Sequence, residues 1–148
     1  MFPWSDFALA VPELAAFGAD RLLRPPAYLA TVTSEGGPRL HPVTPIVSST
    51  GLYVFMEATS PKGRDLRKRR RFAMHNGVPD TVGSGGEFFL SGEGVEVDDH
   101  AVRTEAIAAA SYDPAARYVL FELLVGVAVA NGYGDVTLPE PSRWSADA

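Results

Sequence analysis

The most regular hydrophobic pattern of the chain lies between Tyr118 and Ala130. Apolar side chains occupy every second position of this segment: Val119, Phe121, Leu123, Val125, Val127 and Val129. Successive side chains of a β-strand point to opposite faces of its sheet, so the pattern predicts one long strand with an apolar face. At about 12 residues, such a strand is long enough to cross a small barrel.

Five shorter segments also carry strand patterns and are separated by other elements: Ala27–Thr33, Arg39–Ser48, Leu52–Met56, Phe72–Asn76 and Glu87–Val97. In the first of them, Tyr28, Ala30 and Val32 share one face. The third is apolar on both faces, which predicts a central position in the sheet. Glycine-containing turns join the first three segments as two hairpins.

Prolines and glycines interrupt two of these segments. Pro42 and Pro45 cannot donate to a sheet ladder, so the second segment is predicted at an edge, a bulge or a gap in the pairing. Such a gap leaves backbone acceptors free for a ligand. Gly92 and Gly94 permit the bulge or sharp coiling that a closing barrel requires.

Helical signals occur in three places: Val11–Arg24, the basic segment after Ser60-Pro61, and the residues from Asp98-Asp99 to about Ala110. Pro12 suits the first turn of a helix, and Pro25-Pro26 is expected to end it. Ser60 and Pro61 have the residue types of a helix cap and a first helical position.

These elements predict a mainly β fold, an antiparallel barrel with helices packed outside, because strands and helices do not alternate. The 148 residues suffice for a single domain. We expect residues 1–24 to form an N-terminal helical segment, residues 25–130 the barrel and residues 131–148 a C-terminal tail.

The composition excludes several kinds of site. The chain has no cysteine, so disulfides, thiol nucleophiles and cysteine metal sites are absent. His41, His75 and His100 lack metal-ligand spacing, and no common catalytic constellation is present, so we assign neither a metal site nor catalytic residues. No apolar run approaches the roughly 20 residues that cross a bilayer, and the N-terminus lacks a signal-peptide pattern. We therefore expect a cytoplasmic protein without membrane association.

The charge of the chain is unevenly distributed. Residues Lys62–Arg71 contain seven cations and one anion, a net charge of +6, whereas the other residues carry six cations and 17 anions, a net charge of −11. This acidic remainder argues against a nucleic-acid surface. Two interpretations of the basic segment remain. It is a solvated helix face, or its N-terminal end is an anion site in which free amides, Lys62 and Arg64 bind one phosphate.

Several motifs follow one another in a specific order: RLHPVTP at 39–45, GLYVF at 51–55, SPKGRDLR at 60–67, RFAMH at 71–75 and Arg143-Trp144. Together they resemble the pyridoxamine 5'-phosphate oxidase-like, flavin-binding split-barrel family over about residues 10–130. The resemblance implies a six-stranded antiparallel split β-barrel of the FMN-binding type. It also implies a homodimer with the cofactor in clefts at the interface.

The resemblance further implies which residues contact FMN. Arg39 and Lys62 would approach the phosphate, with Ser60 assisting and Arg64 nearby. The backbone of four consecutive residues would face the isoalloxazine ring: His41, Pro42, Val43 and Thr44. Two residues of the next strand would line the ribityl and ring region: Phe55 and Met56.

Two further positions come from the ends of elements. Glu87 falls where the family places a polar residue contributed by the other subunit, and Trp144 would close over the ring or the substrate. The implied activity is that of an oxidoreductase in which FMN exchanges a hydride with an unidentified small organic substrate. The family's true oxidases carry a lysine at the position of Thr44 and a basic C-terminal signature that this chain lacks. Pyridoxamine phosphate is therefore not the expected substrate.

Two alternatives remain open within this fold. The cations of residues 62–71 are compatible with a deazaflavin-dependent reductase, because that coenzyme has a phosphate-bearing tail. A non-catalytic flavin or haem carrier is the other alternative, with His41 or His75 as the axial ligand of a haem.

Overall fold

The computed structural model describes residues 1–24 and 26–148, so the part of the predicted helix end that falls on Pro25 lies outside the described residues. The helices are α1 (Trp4–Ala10), α2 (Pro12–Leu22), α3 (Pro61–Arg69) and α4 (His100–Ala109). The strands are β1 (Ala27–Val32), β2 (Pro38–Val43), β3 (Ile46–Val47), β4 (Leu52–Met56), β5 (Arg71–Asn76), β6 (Glu87–Val97), β7 (Val119–Asn131) and β8 (Arg143–Ser145). They form one curled antiparallel sheet of order β2-β1-β5-β6-β7-β4-β3, with β8 beside β7.

The three predicted helices are confirmed as α2, α3 and α4. Ser60 caps α3 and Asp99 caps α4, each through a side-chain oxygen that accepts a backbone N–H. Helix α1 was not predicted. It buries Trp4 and Phe7, which are three residues apart and share one face. Within residues 1–24 and 26–148, no helix is long and apolar enough to span a membrane.

The fold class is confirmed, but the sheet has eight strands within residues 1–24 and 26–148, so the predicted number of six is wrong. The predicted strand at 39–48 breaks at Thr44-Pro45 into β2, which pairs with β1, and β3, which pairs with β4. Because Pro45 has no N–H to donate, the chain leaves one ladder there and joins the other end of the sheet. The break confirms the predicted gap in the pairing. It places β2 and β3, which are neighbours in the sequence, at opposite ends of a sheet that is curled into a split barrel. Strand β8 was also not predicted, and it lies within residues 131–148, the predicted C-terminal tail.

Strand β7 contains a bulge that reverses part of its predicted face. Gly126 has no partner in the register with β6, so it is an extra residue in β7. Beyond it the faces exchange: Ala128 and Ala130 are buried, whereas Val127 and Val129 are only partly buried. The prediction that the apolar face continues to residue 129 is therefore wrong, since one inserted residue moves every following side chain to the other face.

Strand β4 is buried on both faces, as its apolar sequence predicted. Leu52, Val54 and Met56 pack into the main core together with side chains of α1 and α2. Tyr53 and Phe55 lie on the opposite face, in a smaller apolar cluster beneath α4. In the sheet, β4 lies between β7 and the two-residue edge strand β3, so the predicted central position is wrong. The chain after β4 continues into helix α3, which lies beside β2.

Candidate functional site

The first turn of helix α3 leaves one backbone donor for a ligand. Pro61 has no N–H. The side-chain oxygen of Ser60 accepts the N–H of Gly63 at 3.1 Å, and its carbonyl oxygen accepts the N–H of Arg64 at 3.1 Å. In the described part of the chain, the N–H of Lys62 has no such acceptor. The predicted free amides are thus reduced to one, at the positive end of the helix dipole.

Lys62 lines a cleft of about 290 Å³ beside β2 and β4. Five of the predicted cofactor-binding residues meet in this cleft: Pro42, Val43, Thr44, Phe55 and Lys62. Two other residues complete its lining, Pro26 and Tyr112. The sequence did not predict the contribution of Tyr112. This residue lies in the irregular segment after α4, far along the chain from the other residues of the cleft.

The ammonium group of Lys62 has no counter-charge among the residues that the structure describes. Its side chain is half-buried, and burial lowers the pKa of Lys62 from its ordinary value. No carboxylate of residues 1–24 and 26–148 lies within 4 Å of it. An uncompensated cation in a cleft attracts anions more strongly than an exposed or paired one.

Arg39 is bound to a buried carboxylate on the facing helix. Its Nε donates to Oδ2 of Asp65 at 2.8 Å, and the hydroxyl of Thr31 donates to the same oxygen at 2.8 Å. Burial disfavours the charged form of Asp65, but the hydrogen bonds from Arg39 and Thr31 outweigh it and hold the pKa of Asp65 below its ordinary value. The terminal guanidinium nitrogens of Arg39 have no hydrogen-bond partner in the described part of the chain.

His41 lies close enough to both cations to be affected by their charges. Burial lowers the pKa of His41, and the charges of Lys62 and Arg39 lower it further, against a smaller opposing effect of Asp65. The imidazole is therefore neutral near pH 7. Its Nε2 is buried and has no hydrogen-bond partner among the residues that the structure describes.

The remaining cations of the basic segment divide into paired and unpaired groups. Arg67 donates to Glu96 on β6 through Nε at 2.7 Å and Nη2 at 3.1 Å, and Arg69 donates to the carbonyl oxygen of Val32 at 3.4 Å. Four exposed cations have no ion-pair partner within residues 1–24 and 26–148: Arg64, Lys68, Arg70 and Arg71. Arg64 thus points to solvent although it is two residues from Lys62.

Seven of the predicted cofactor-binding residues are not among those that line the cleft: Arg39, His41, Met56, Ser60, Arg64, Glu87 and Trp144. Met56 is 3% exposed and belongs to the main core. Trp144 on β8 packs against Phe2 and Phe7, with ring centroids 5.2 and 5.1 Å away. Glu87 lies on β6, where its carboxylate is 4.0 Å from Nε2 of His75.

The outward face of the sheet is largely apolar. One row of it crosses five strands in register: Pro42, Tyr28, His75, Phe89 and Val129. The next row contains Leu40, which is 65% exposed, and then smaller side chains: Ala30, Ala73, Ser91 and Val127. Pro42 belongs both to this face and to the cleft, so the two surfaces adjoin.

A second cavity, of about 420 Å³, lies on the other side of Pro26. Its lining includes Arg24, Tyr28, Asn76 and glycines of the loop 77–86. In the described part of the chain, no group of three or more histidine, aspartate or glutamate side chains could hold a metal ion.

Comparisons with known proteins give structural similarities only. No protein-family model and no curated protein sequence matches the chain. A heme-binding protein from Mycobacterium smegmatis has a similar structure, with a TM-score of 0.69 and 18% identity over 91% of this chain and 57% of that one. The chain thus spans little more than half the length of that protein.

Two further structures are similar over most of their length. The conserved hypothetical protein Rv2991 from Mycobacterium tuberculosis has a TM-score of 0.67 and 16% identity over 88% of this chain and 91% of that one. PhzG from Burkholderia lata, in complex with tetrahydrophenazine-1-carboxylic acid, has a TM-score of 0.57 and 18% identity over 91% of this chain and 86% of that one. At these identities the comparisons establish the split-barrel fold.

Proposed function

We propose that the chain binds FMN in the cleft beside β2, β4 and α3 and acts as a flavin-dependent oxidoreductase on a small organic substrate. The observation that carries the proposal is the half-buried Lys62, without an ion-pair partner in the described residues, in a cleft that is also lined by Phe55 and residues 42–44. A cation, a free helix amide and an apolar wall are the groups that a phosphorylated planar heterocycle requires.

The residues present fit the two ends of FMN. Lys62, its N–H and the terminal nitrogens of Arg39 would hold the phosphate, and the neutral His41 beside them adds no charge. Phe55 and the backbone of residues 42–44 would face the ring and exclude water from one side of it. When bound, a flavin supplies hydride transfer, so an acid–base pair among the side chains is not required for the chemistry.

We also propose that two copies of the chain complete the site. At about 290 Å³ the cleft is at the lower end of ligand sites, so one chain encloses only part of a cofactor of this size. The exposed apolar rows that contain Leu40 and Tyr28 adjoin the cleft at Pro42, and burying them requires a partner surface. A second copy on this face would bring groups of its own, such as Glu87, towards the cofactor.

Haem binding is a second candidate function. A similar structure is that of a heme-binding protein, and the imidazole of His75 is 40% exposed on the outward face of the sheet. The buried Nε2 of His41 is less accessible to a haem iron. A deazaflavin-dependent reductase is favoured instead if the unpaired Arg64 and Lys68 contact an anionic tail.

The absorption spectrum of the purified protein, followed by mass spectrometry of the molecule released on denaturation, distinguishes these functions. FMN binding predicts the bands of an oxidised flavin and the release of FMN. A Soret band would favour haem, and a deazaflavin spectrum would favour the reductase.

A further inference from the structure

Asp65 is a buried carboxylate whose place in the basic helix needs an explanation. Its side chain is 7% exposed, and it is the single anion among the seven cations of residues 62–71. A buried carboxylate is costly unless it is paired and hydrogen-bonded. Oδ2 of Asp65 meets this requirement with two donors at 2.8 Å, Nε of Arg39 and the hydroxyl of Thr31.

The position of Asp65 joins the two cations of the proposed phosphate site. Asp65 follows Lys62 by three residues in α3, so both side chains lie on neighbouring parts of one helix face. Arg39 belongs to β2, which also supplies the wall of the cleft. Asp65 therefore ties the helix that carries Lys62 to the strand that carries Arg39.

The ion pair also fixes which part of Arg39 can reach a ligand. Because Nε is directed to Asp65, the two terminal nitrogens are left for another acceptor, and the Arg39 side chain is 34% exposed. A planar guanidinium held at one edge presents its other edge in a defined direction. With His41 neutral, Arg39, Lys62 and Asp65 together carry a net charge of +1, and the attraction of Asp65 offsets the repulsion between the two cations.

We infer that Asp65 is a positioning residue of the anion site, which holds Arg39 so that its terminal nitrogens and the Lys62 ammonium bind the same phosphate. This inference rests on the proposed binding of FMN in the cleft. Asp65 acts through Arg39 and does not itself touch the ligand. Its removal should therefore affect the phosphate and spare the ring.

Parallel titrations with FMN and riboflavin test this, because the two ligands differ only in the phosphate. In the wild-type protein, FMN should bind more tightly than riboflavin. Asp65→Ala should raise the Kd of FMN about tenfold or more, the scale of a hydrogen bond to a charged group, and change the Kd of riboflavin by less than about threefold. Asp65→Asn keeps an acceptor oxygen for Arg39 and should give a smaller rise.

Glu96→Gln is the matched control. It breaks the 2.7 Å ion pair with Arg67, which also ties α3 to the sheet but does not contact Arg39 or Lys62. Both titrations should therefore be unchanged in this variant. If Asp65→Ala does not fold, Thr31→Val removes one donor to Asp65 without a change of charge. It should raise the Kd of FMN less than the alanine variant does and leave riboflavin binding unchanged.

The outcomes separate this inference from the proposed function. If FMN and riboflavin weaken equally, or if FMN binding is unchanged or tighter in Asp65→Asn and Thr31→Val, the positioning role is refuted and FMN binding stands. If the wild-type protein binds neither FMN nor riboflavin, the proposed function fails and the inference fails with it.

Discussion

Replacement of Lys62 by methionine removes an uncompensated cation from the cleft and approximately keeps the length of the side chain. No carboxylate of the described residues lies within 4 Å of the ammonium, so a bound phosphate would not have to displace an internal partner. The loss should then be that of a full charge-assisted hydrogen bond, about 1.5–3 kcal/mol, or roughly a 10- to 150-fold rise in the Kd of FMN. Flavin fluorescence during titration of the apoprotein measures this change.

The same substitution should stabilise the apoprotein. Because burial lowers the pKa of Lys62, the folded state disfavours its charged form, and a neutral side chain removes that cost. We therefore expect the free energy of unfolding in urea to rise while FMN affinity falls. FMN affinity of the wild-type protein should also decrease as the pH rises towards the pKa of Lys62, which lies below the ordinary lysine value of about 10.4, and this decrease should be lost in Lys62→Met.

Lys68→Met is the control for this experiment. Lys68 lies on the same helix and is exposed, so the variant removes the same charge away from the cleft. Its Kd for FMN should change by less than about threefold, since exposed charges are screened by salt. An unchanged FMN affinity in Lys62→Met, or an equal loss in Lys68→Met, would refute the assignment of the phosphate to Lys62.

Three further outcomes are expected. Gly92→Ala should lower the free energy of unfolding in urea by about 3 kcal/mol, because a Cβ would overlap the carbonyl oxygen of Leu124, whereas at Gly94 it meets the ends of the Leu66 and Leu123 side chains. The lowered pKa of Asp65 stabilises the native state above about pH 4, and this contribution is lost as the pH falls, so stability in acid should decline less steeply in Asp65→Asn. Leu40→Glu should convert the proposed dimer to a monomer in sedimentation experiments.

Each of these expectations has a contrary result. A loss of stability in Gly92→Ala no larger than that in Gly94→Ala would mean that β6 and β7 can shift near the bulge to make room for the Cβ. Parallel acid profiles for the wild-type protein and Asp65→Asn would show that the ion pair with Arg39 does not contribute to stability. A wild-type protein that sediments as a monomer at micromolar concentration would contradict the proposed dimer.

Local patterns predicted the elements well where a single periodicity governed them. Strand β4 is apolar at every position, and its burial on both faces follows directly from this. The bulge at Gly126 was not predictable from β7 alone, because valine continues to alternate beyond it. Which of the alternating residues are buried depends on the register with β6, a contact between distant parts of the chain.

The candidate site was predictable only in part, because it also depends on contacts between distant parts of the chain. Pro42, Thr44 and Lys62 meet in one cleft because the break at Pro45 and the end of β4 bring their elements together. The ion pair between Arg39 and Asp65 was not predicted. The sequence did contain an indication of it, because Asp65 is the single acidic residue in a dense run of cations. Which of the other cations are paired depends on side-chain packing that the sequence does not encode locally.

The most direct test of the central claim is an equilibrium titration of the apoprotein with FMN, followed by absorbance and fluorescence. Binding in the cleft beside β2, β4 and α3 predicts saturable uptake of one FMN per chain, weakened in Lys62→Met and unaffected in Lys68→Met. An absence of FMN uptake by a folded wild-type protein, or uptake that does not depend on Lys62, would contradict the account.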